Sequence, residues 1–287
     1  MTLVCFDTET TGLDVRKEHI LQLSLVKFET DTWQVLDQRD WYILPEGEFT
    51  IPPEAEAVHH ISKEFLLEHG VSLRSVFEDF KSFIGDCNML SYNGNGYDAP
   101  LLHYNLERLG LPFAFEGRTW FDALLLERIH TEGQVDANGE KLHNNLTAAY
   151  TRYYGHPFEG AHNSLDDVLA TIEVFKAQIQ HHGWEWATRD EFGFISYDRW
   201  LMRKGGRYYL CQGGHKGESL DRMLHVDRSF LEWLCDKCTW ADPQTQDIVR
   251  GYLQPKKEAP QKPEALHSSR GKRRPKPTIS DADLCLF

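Results

Sequence analysis

The chain has 287 residues, 41% hydrophobic and 26% charged, the proportions of a globular protein long enough for one large domain or two smaller ones. Its apolar runs, such as Leu3 to Phe6 and Leu124 to Leu126, fall far short of the roughly 18 residues of a membrane helix. No charged-then-apolar leader precedes Leu3, and six cysteines show no framework spacing, so membrane spanning and secretion are excluded and a cytoplasmic setting is expected.

In chain order, Leu3 to Phe6 reads as a buried strand and Ile20 to Phe28 as a second, with alternation at Leu21, Leu23 and Leu25. Trp41 to Leu44 reads as a third, closed by Pro45. Phe77, Phe80, Phe83 and Ile84 share a helical face, and a returning strand is expected near Met89 to Tyr92. Leu101, Leu102, Leu106 and Leu109 form a second face, stopped by Gly110; Leu165, Val168, Leu169, Ile172 and Ile179 form a third. This order suggests a mixed α/β sheet flanked by helices over residues 1 to 183. A small α+β appendage is expected over 194 to 253, after the His181-His182-Gly183 break, with a strand from Tyr208 to Cys211, a Gly213-Gly214 turn and two short helices. Residues 254 to 287 hold five of the twelve prolines and eight Lys/Arg against four Asp/Glu, and are read as a disordered basic tail. The remainder carries 23 Lys/Arg against 40 Asp/Glu, an acidic body that opposes nonspecific binding to phosphates.

The first strand runs into Phe6-Asp7-Thr8-Glu9-Thr10-Thr11-Gly12-Leu13, with two acids one residue apart. Residues i and i+2 of a strand point to the same side, so Asp7 and Glu9 can converge, and convergent carboxylates ask for a cation. A solvated strand end is the plain alternative. Asp98 follows the glycine-rich Asn93-Gly94-Asn95-Gly96-Tyr97 at a helix start, and His162-Asn163-Ser164-Leu165-Asp166-Asp167 opens another helix. These also have structural alternatives: a helix cap for Asp98, a capping box for Ser164 with Asp167, an exposed ring for His162. Helical geometry alone does not choose between Asp166 and Asp167.

In this order the three segments resemble the DEDDh family of 3′-to-5′ exonucleases. The resemblance implies a ribonuclease H-like fold and an active centre of Asp7, Glu9, Asp98, His162 and Asp167, the last chosen over Asp166 by the family's spacing. Tyr92 stands where many members carry histidine. The Val58-His59-His60-Ile61-Ser62 segment resembles the family's loop that approaches the terminal nucleotide, and Thr10, Gly12, Leu13, His59 and Asn93 are the implied substrate contacts. Two divalent ions are implied on Asp7, Glu9, Asp98 and Asp167: Asp7 between them, Glu9 and Asp167 completing one site, Asp98 supporting the other, with His162 as general base. Such a pair can activate water, polarise phosphorus and stabilise the leaving oxygen, and oxygen donors select Mg²⁺ or Mn²⁺.

The stretch from Cys211 to Leu220 and the following Asp227-Arg228-Ser229-Phe230-Leu231-Glu232-Trp233-Leu234 resemble the C-terminal region of exodeoxyribonuclease X-like proteins, although Gly214 and His215 replace the usual Lys and aromatic of the turn. A zinc site from Cys211, His215, Cys235 and Cys238 is a weaker reading than packing of the cysteine pair on a helix face. The terminal Asp283-Leu284-Cys285-Leu286-Phe287 resembles the pentapeptide that docks bacterial replication proteins on the sliding clamp, with Leu284, Leu286 and Phe287 as anchors and Asp283 in place of the usual Gln. The expected function is removal of nucleoside 5′-monophosphates from DNA 3′ ends, single-stranded or frayed, in repair or proofreading. An RNA 3′-end exoribonuclease and a non-catalytic, clamp-tethered adaptor are the alternatives.

Overall fold

The computed structural model describes residues 1–112, 118–188, 200–204, 206–238, 241 and 243–254. Along them run β1 (Thr2–Thr10), β2 (Ile20–Glu29), β3 (Val35–Tyr42), α1 (Pro53–His59), α2 (Lys63–His69), α3 (Leu73–Ile84), β4 (Asn88–Ser91), α4 (Asp98–Arg108), β5 (Trp120–Asp122), α5 (Ala123–His130), α6 (Leu146–Tyr154), α7 (Ser164–His182), α8 (Trp184–Ala187), β6 (Leu201–Lys204), β7 (Arg207–Leu210), α9 (Leu220–Val226), α10 (Arg228–Asp236) and α11 (Pro243–Leu253).

Alternation along β1 decides the architecture. Val4 and Phe6 enter one core with Leu23 and Leu25 of β2 and the apolar faces of α3 and α4. Leu3 and Cys5 enter a second core on the other face of the sheet, with Val26, Phe28 and the α7 residues Val168, Ile172 and Phe175. A strand buried on both faces reads as an unbroken apolar run, which made Leu3 to Phe6 visible in the sequence. The sheet order is β3-β2-β1-β4-β5, with β1–β2 and β2–β3 antiparallel and β4 and β5 added in parallel. This is the mixed sheet flanked by helices that the sequence suggested.

The third strand departs from expectation. It covers Val35–Tyr42 rather than Trp41 to Leu44, because an edge strand with a mostly exposed, polar run (Asp37, Gln38, Arg39, Asp40) carries no apolar alternation. Beyond it, Ile43 and Leu44 bridge instead to Val71. The capping box also differs: Asn163 caps α7, accepting from the Leu165 and Asp166 N–H groups, and the Ser164 hydroxyl turns inward to Ser24.

The described residues between 200 and 254 enclose their own apolar cluster, formed by the β6–β7 hairpin and α9 to α11 around Leu201, Leu220, Leu231 and Leu234. Cys235 and Cys238 are buried in it, and His215 Nε2 contacts Asp227 Oδ2 at 3.1 Å. Among the described residues these cysteines join no group of potential metal ligands.

One ion pair lies deep in the first layer. Glu127 of α5, fully buried, meets the Arg152 guanidinium of α6 and accepts from Tyr153 Oη at 2.9 Å and from Gln178 Nε2 of α7 at 2.9 Å. This anchors α5 and α6 on α7.

Candidate active site

The row Leu3, Cys5, Asp7, Glu9 lies on the α7 side of β1, so the strand delivers two carboxylates to the helix that its apolar half packs against. The first turn of α7 supplies Asp167. One carboxylate oxygen from each of Asp7, Glu9 and Asp167 lies within 4.8 Å of the other two.

Asp98 reaches the same place by a different route. Pairing of β1 with β4 covers only Leu3 to Cys5, which leaves the later part of β1 open on that side. There Asp98 Oδ1 accepts from the Thr8 N–H at 3.1 Å and the Thr8 hydroxyl at 2.5 Å. The loop before it is tightly built. Asn93 adopts a left-handed φ of 71° with its N–H donated to Asp122 Oδ1 at 2.9 Å, and a Cβ at Gly94 would lie 2.2 Å from Ser91 Oγ, so only glycine fits. Asp122, buried, also caps α5.

The α7 end is fixed to the sheet through the Ser164–Ser24 contact and through Gln22 and Ser24, which both hydrogen-bond Asp40 Oδ1. His162 sits exposed just ahead, held at a left-handed φ of 73°, and its backbone N–H donates to Asp167 Oδ2 at 3.3 Å. The imidazole is thus carried on a turn tied to the cluster itself.

Crowding shows in the protonation of these acids. Burial, then Asp98, Asp167 and Glu9, hold the Asp7 carboxyl well above the usual range. Burial with Asp167 and Asp98 pushes Glu9 up to about 8, and burial with Asp166 and Asp98 pushes Asp167 up to about 7 against the pull of the His162 N–H. Asp98 rises to about 6 through burial, offset in part by the bonds from Thr8. Among the described residues no Lys or Arg pairs with any of the four.

The expected substrate contacts border this centre unevenly. The Thr10 hydroxyl is engaged with the Gly12 carbonyl at 3.0 Å and Tyr97 Oη at 2.6 Å, and Tyr97 also donates to the Gly12 carbonyl. This ties the strand-end loop to the residue before Asp98; Tyr97 escaped the sequence reading because its role depends on a contact across 87 positions. Leu13 is 89% exposed, an apolar side chain with no core to join. His59 is buried; its Nδ1 accepts from the Ile61 N–H at 3.0 Å, and its ring interacts with the Thr10 backbone. Leu284, Leu286 and Phe287 lie outside the described residues.

A family model described as an exonuclease, RNase_T, matches residues 4–175, the span that carries all five residues of the centre. The chain belongs to the RNase_T exonuclease family. Human three-prime repair exonuclease 1 is 25% identical over 201 residues, 60% of this chain and 62% of that protein. The DNA polymerase III subunit epsilon of Treponema pallidum is 22% identical over 182 residues, 63% of this chain and 78% of that subunit. The chain therefore spans about three-fifths of the human relative's length. E. coli exonuclease I, solved with a dT13 oligonucleotide, has the same fold, with a TM-score of 0.55 at 19% identity over 62% of this chain and 41% of its own. The RNase_T sheet of this chain is thus the ribonuclease H-like arrangement expected from the sequence.

Proposed function

We infer that this RNase_T member is a metal-dependent 3′-to-5′ exonuclease that releases nucleoside 5′-monophosphates from DNA 3′ ends, in repair or proofreading. The observation that carries this reading is the crowding of Asp7, Glu9 and Asp167 oxygens beside Asp98 with no Lys or Arg among the described residues to neutralise them. Relatives named for three-prime repair and for a DNA polymerase subunit support DNA as the substrate. A structure of E. coli exonuclease I with zinc and single-stranded DNA supports a divalent ion on this fold.

The donor set fits such ions, since oxygen-only ligands suit Mg²⁺ or Mn²⁺. Asp7, Glu9 and Asp167 would hold one ion, and Asp98, with Asp7 shared, a second. Bound there, the ions would lower the pKa of water and offset charge on the attacking and leaving oxygens. His162 accepts the proton of the attacking water at its imidazole; exposure on a turn tied to Asp167 leaves the ring free to meet it. Thr10, Gly12, Leu13, His59 and Asn93 receive the terminal nucleotide, Leu13 offering an apolar face to the base. Residues 283 to 287 dock on a sliding clamp through Leu284, Leu286 and Phe287, a tether that offsets the repulsion between an acidic body and DNA.

End-labelled DNA and RNA of one sequence, incubated with Mg²⁺ and then with chelator, test the reading. DNA shortened one nucleotide at a time from a free 3′ hydroxyl, with a 3′-phosphate or circular strand resisting, is expected. Preference for RNA would make it an exoribonuclease; cleavage of neither would leave an adaptor. Deleting residues 283 to 287 should leave cleavage of short oligonucleotides unchanged and remove stimulation by a clamp loaded on primed DNA.

A further inference from the structure

Away from the carboxylate centre, the C-terminal ends of two helices bring three imidazoles together. His130 ends α5, and His181 and His182 end α7. One ring nitrogen from each lies within 4.8 Å of the other two, and His182 Nε2 stands 2.9 Å from His130 Nδ1. At that separation one nitrogen donates and the other accepts, so a lone pair is already turned into the cluster. The rings are held in place. His182 stacks on Trp186 with centroids 4.1 Å apart and 21° between planes, and His130 lies against Tyr153 at 6.0 Å and 27°. His181 is exposed, its ring 4.4 Å from His182 and 5.4 Å from His130, which leaves one side open to an incoming ion.

The surroundings suit a cation. Both helices present their carbonyl ends here, where the helix dipole is negative, and the nearby Glu127 and Arg152 neutralise each other. We propose that His130, His181 and His182 form a second metal site, offering three nitrogen donors to a divalent transition ion such as Zn²⁺ and tying the end of α5 to the end of α7. Zinc–nitrogen bonds of about 2.0 to 2.1 Å in a tetrahedron put the nitrogens roughly 3.3 to 3.4 Å apart. The His130–His182 contact needs to open by a few tenths of an ångström, the donor ring's proton moving to its other nitrogen as the ion takes its place, while the exposed His181 ring swings in. Water takes the fourth position. Imidazole donors select against Mg²⁺ and Mn²⁺, so the two centres sort ions by ligand softness. Along α7 the site lies about 22 Å from Asp167 at 1.5 Å per residue, too far to touch a reacting phosphate, and its role is that of a staple. The site does not depend on the exonuclease reading.

The test titrates Co²⁺, as a spectroscopic stand-in for zinc, into chelator-stripped full-length protein with Mg²⁺ in excess, and measures Zn²⁺ affinity by competition with a chromophoric chelator. The wild type should take up one tight equivalent with a tetrahedral d–d spectrum and no thiolate-to-cobalt charge-transfer band, and Asp7→Asn should behave identically. His181→Gln, at an exposed position that leaves the core intact, should weaken binding at least about tenfold, since even outer-sphere changes cost 10- to 100-fold. His130→Gln with His182→Gln should abolish it. Unchanged affinity in His181→Gln, no tight equivalent in the wild type, a thiolate band, or loss of the site in Asp7→Asn would each overturn the proposal.

Discussion

The protein shelters acidic groups in two places and treats them oppositely. Around Glu127 the chain supplies its own compensation: Arg152, the Tyr153 hydroxyl and the Gln178 amide satisfy a carboxylate with no exposed surface. Around Asp7 the described residues supply no Lys or Arg, only the Thr8 and His162 donors to Asp98 and Asp167, and the acids crowd one another. Both sites lie against α7, so position in the fold alone does not account for the difference. A buried charge that the chain neutralises is part of the architecture; a group of charges left facing one another is held at a cost and kept for something that arrives.

Substitutions at the two sites should therefore separate activity from stability. Asp7→Asn or Asp167→Asn should lower the Mg²⁺-dependent rate more than about 10³-fold, beyond the loss of a single transition-state donor, while the metal-free protein melts no lower than the wild type. Single-turnover rates and thermal melts check both halves. His162→Ala should cost about 10² to 10⁴-fold in rate, as removal of a general base does, with Mn²⁺ binding by calorimetry unchanged. Glu127→Ala should do the reverse, costing about 3 to 5 kcal/mol of unfolding free energy by leaving Arg152 without its partner, with little change in rate per folded molecule. A Glu127→Ala protein as stable as the wild type would erase the contrast.

The two sites also differ in how they show in the sequence. Asp7 and Glu9 are legible from the alternation at the end of β1, whereas Asp98, His162 and Asp167 stand out only through their resemblance to the family's motifs, since a helix start alone reads as a cap. Glu127 has no such mark. It sits within Leu124-Leu125-Leu126-Glu127, where an acid reads as the polar face of a helix, and its partners come from 25 and 51 positions away. Asp122 and Tyr97 escaped for the same reason: one holds the Asn93 turn and the other closes the Thr10–Gly12 loop, both through contacts that no local pattern announces. β3 lies away from the apolar run at Trp41 to Leu44 because edge strands need no apolar face, and β5, three residues long, carries no signal because parallel pairing to β4 and not its own composition makes it a strand.

A smaller effect follows from protonation. Glu9, Asp167 and Asp98 titrate near 8, 7 and 6 in the folded chain but near 4 when unfolded. Between these limits the folded state binds more protons, so the stability of metal-free protein should fall as pH rises from about 4 to 8. A melting temperature flat over that range would count against crowding.

The sharpest contrast comes from melting wild type and Asp7→Asn side by side at pH 8, stripped of metal and again with Mn²⁺. Mn²⁺ should raise the wild-type melting temperature, whereas the variant should start at or above the metal-free wild type and respond weakly, because it has lost both the repulsion and the ligand. A wild type indifferent to Mn²⁺, together with a variant that melts well below it, would make the Asp7 cluster an ordinary structural site like that of Glu127.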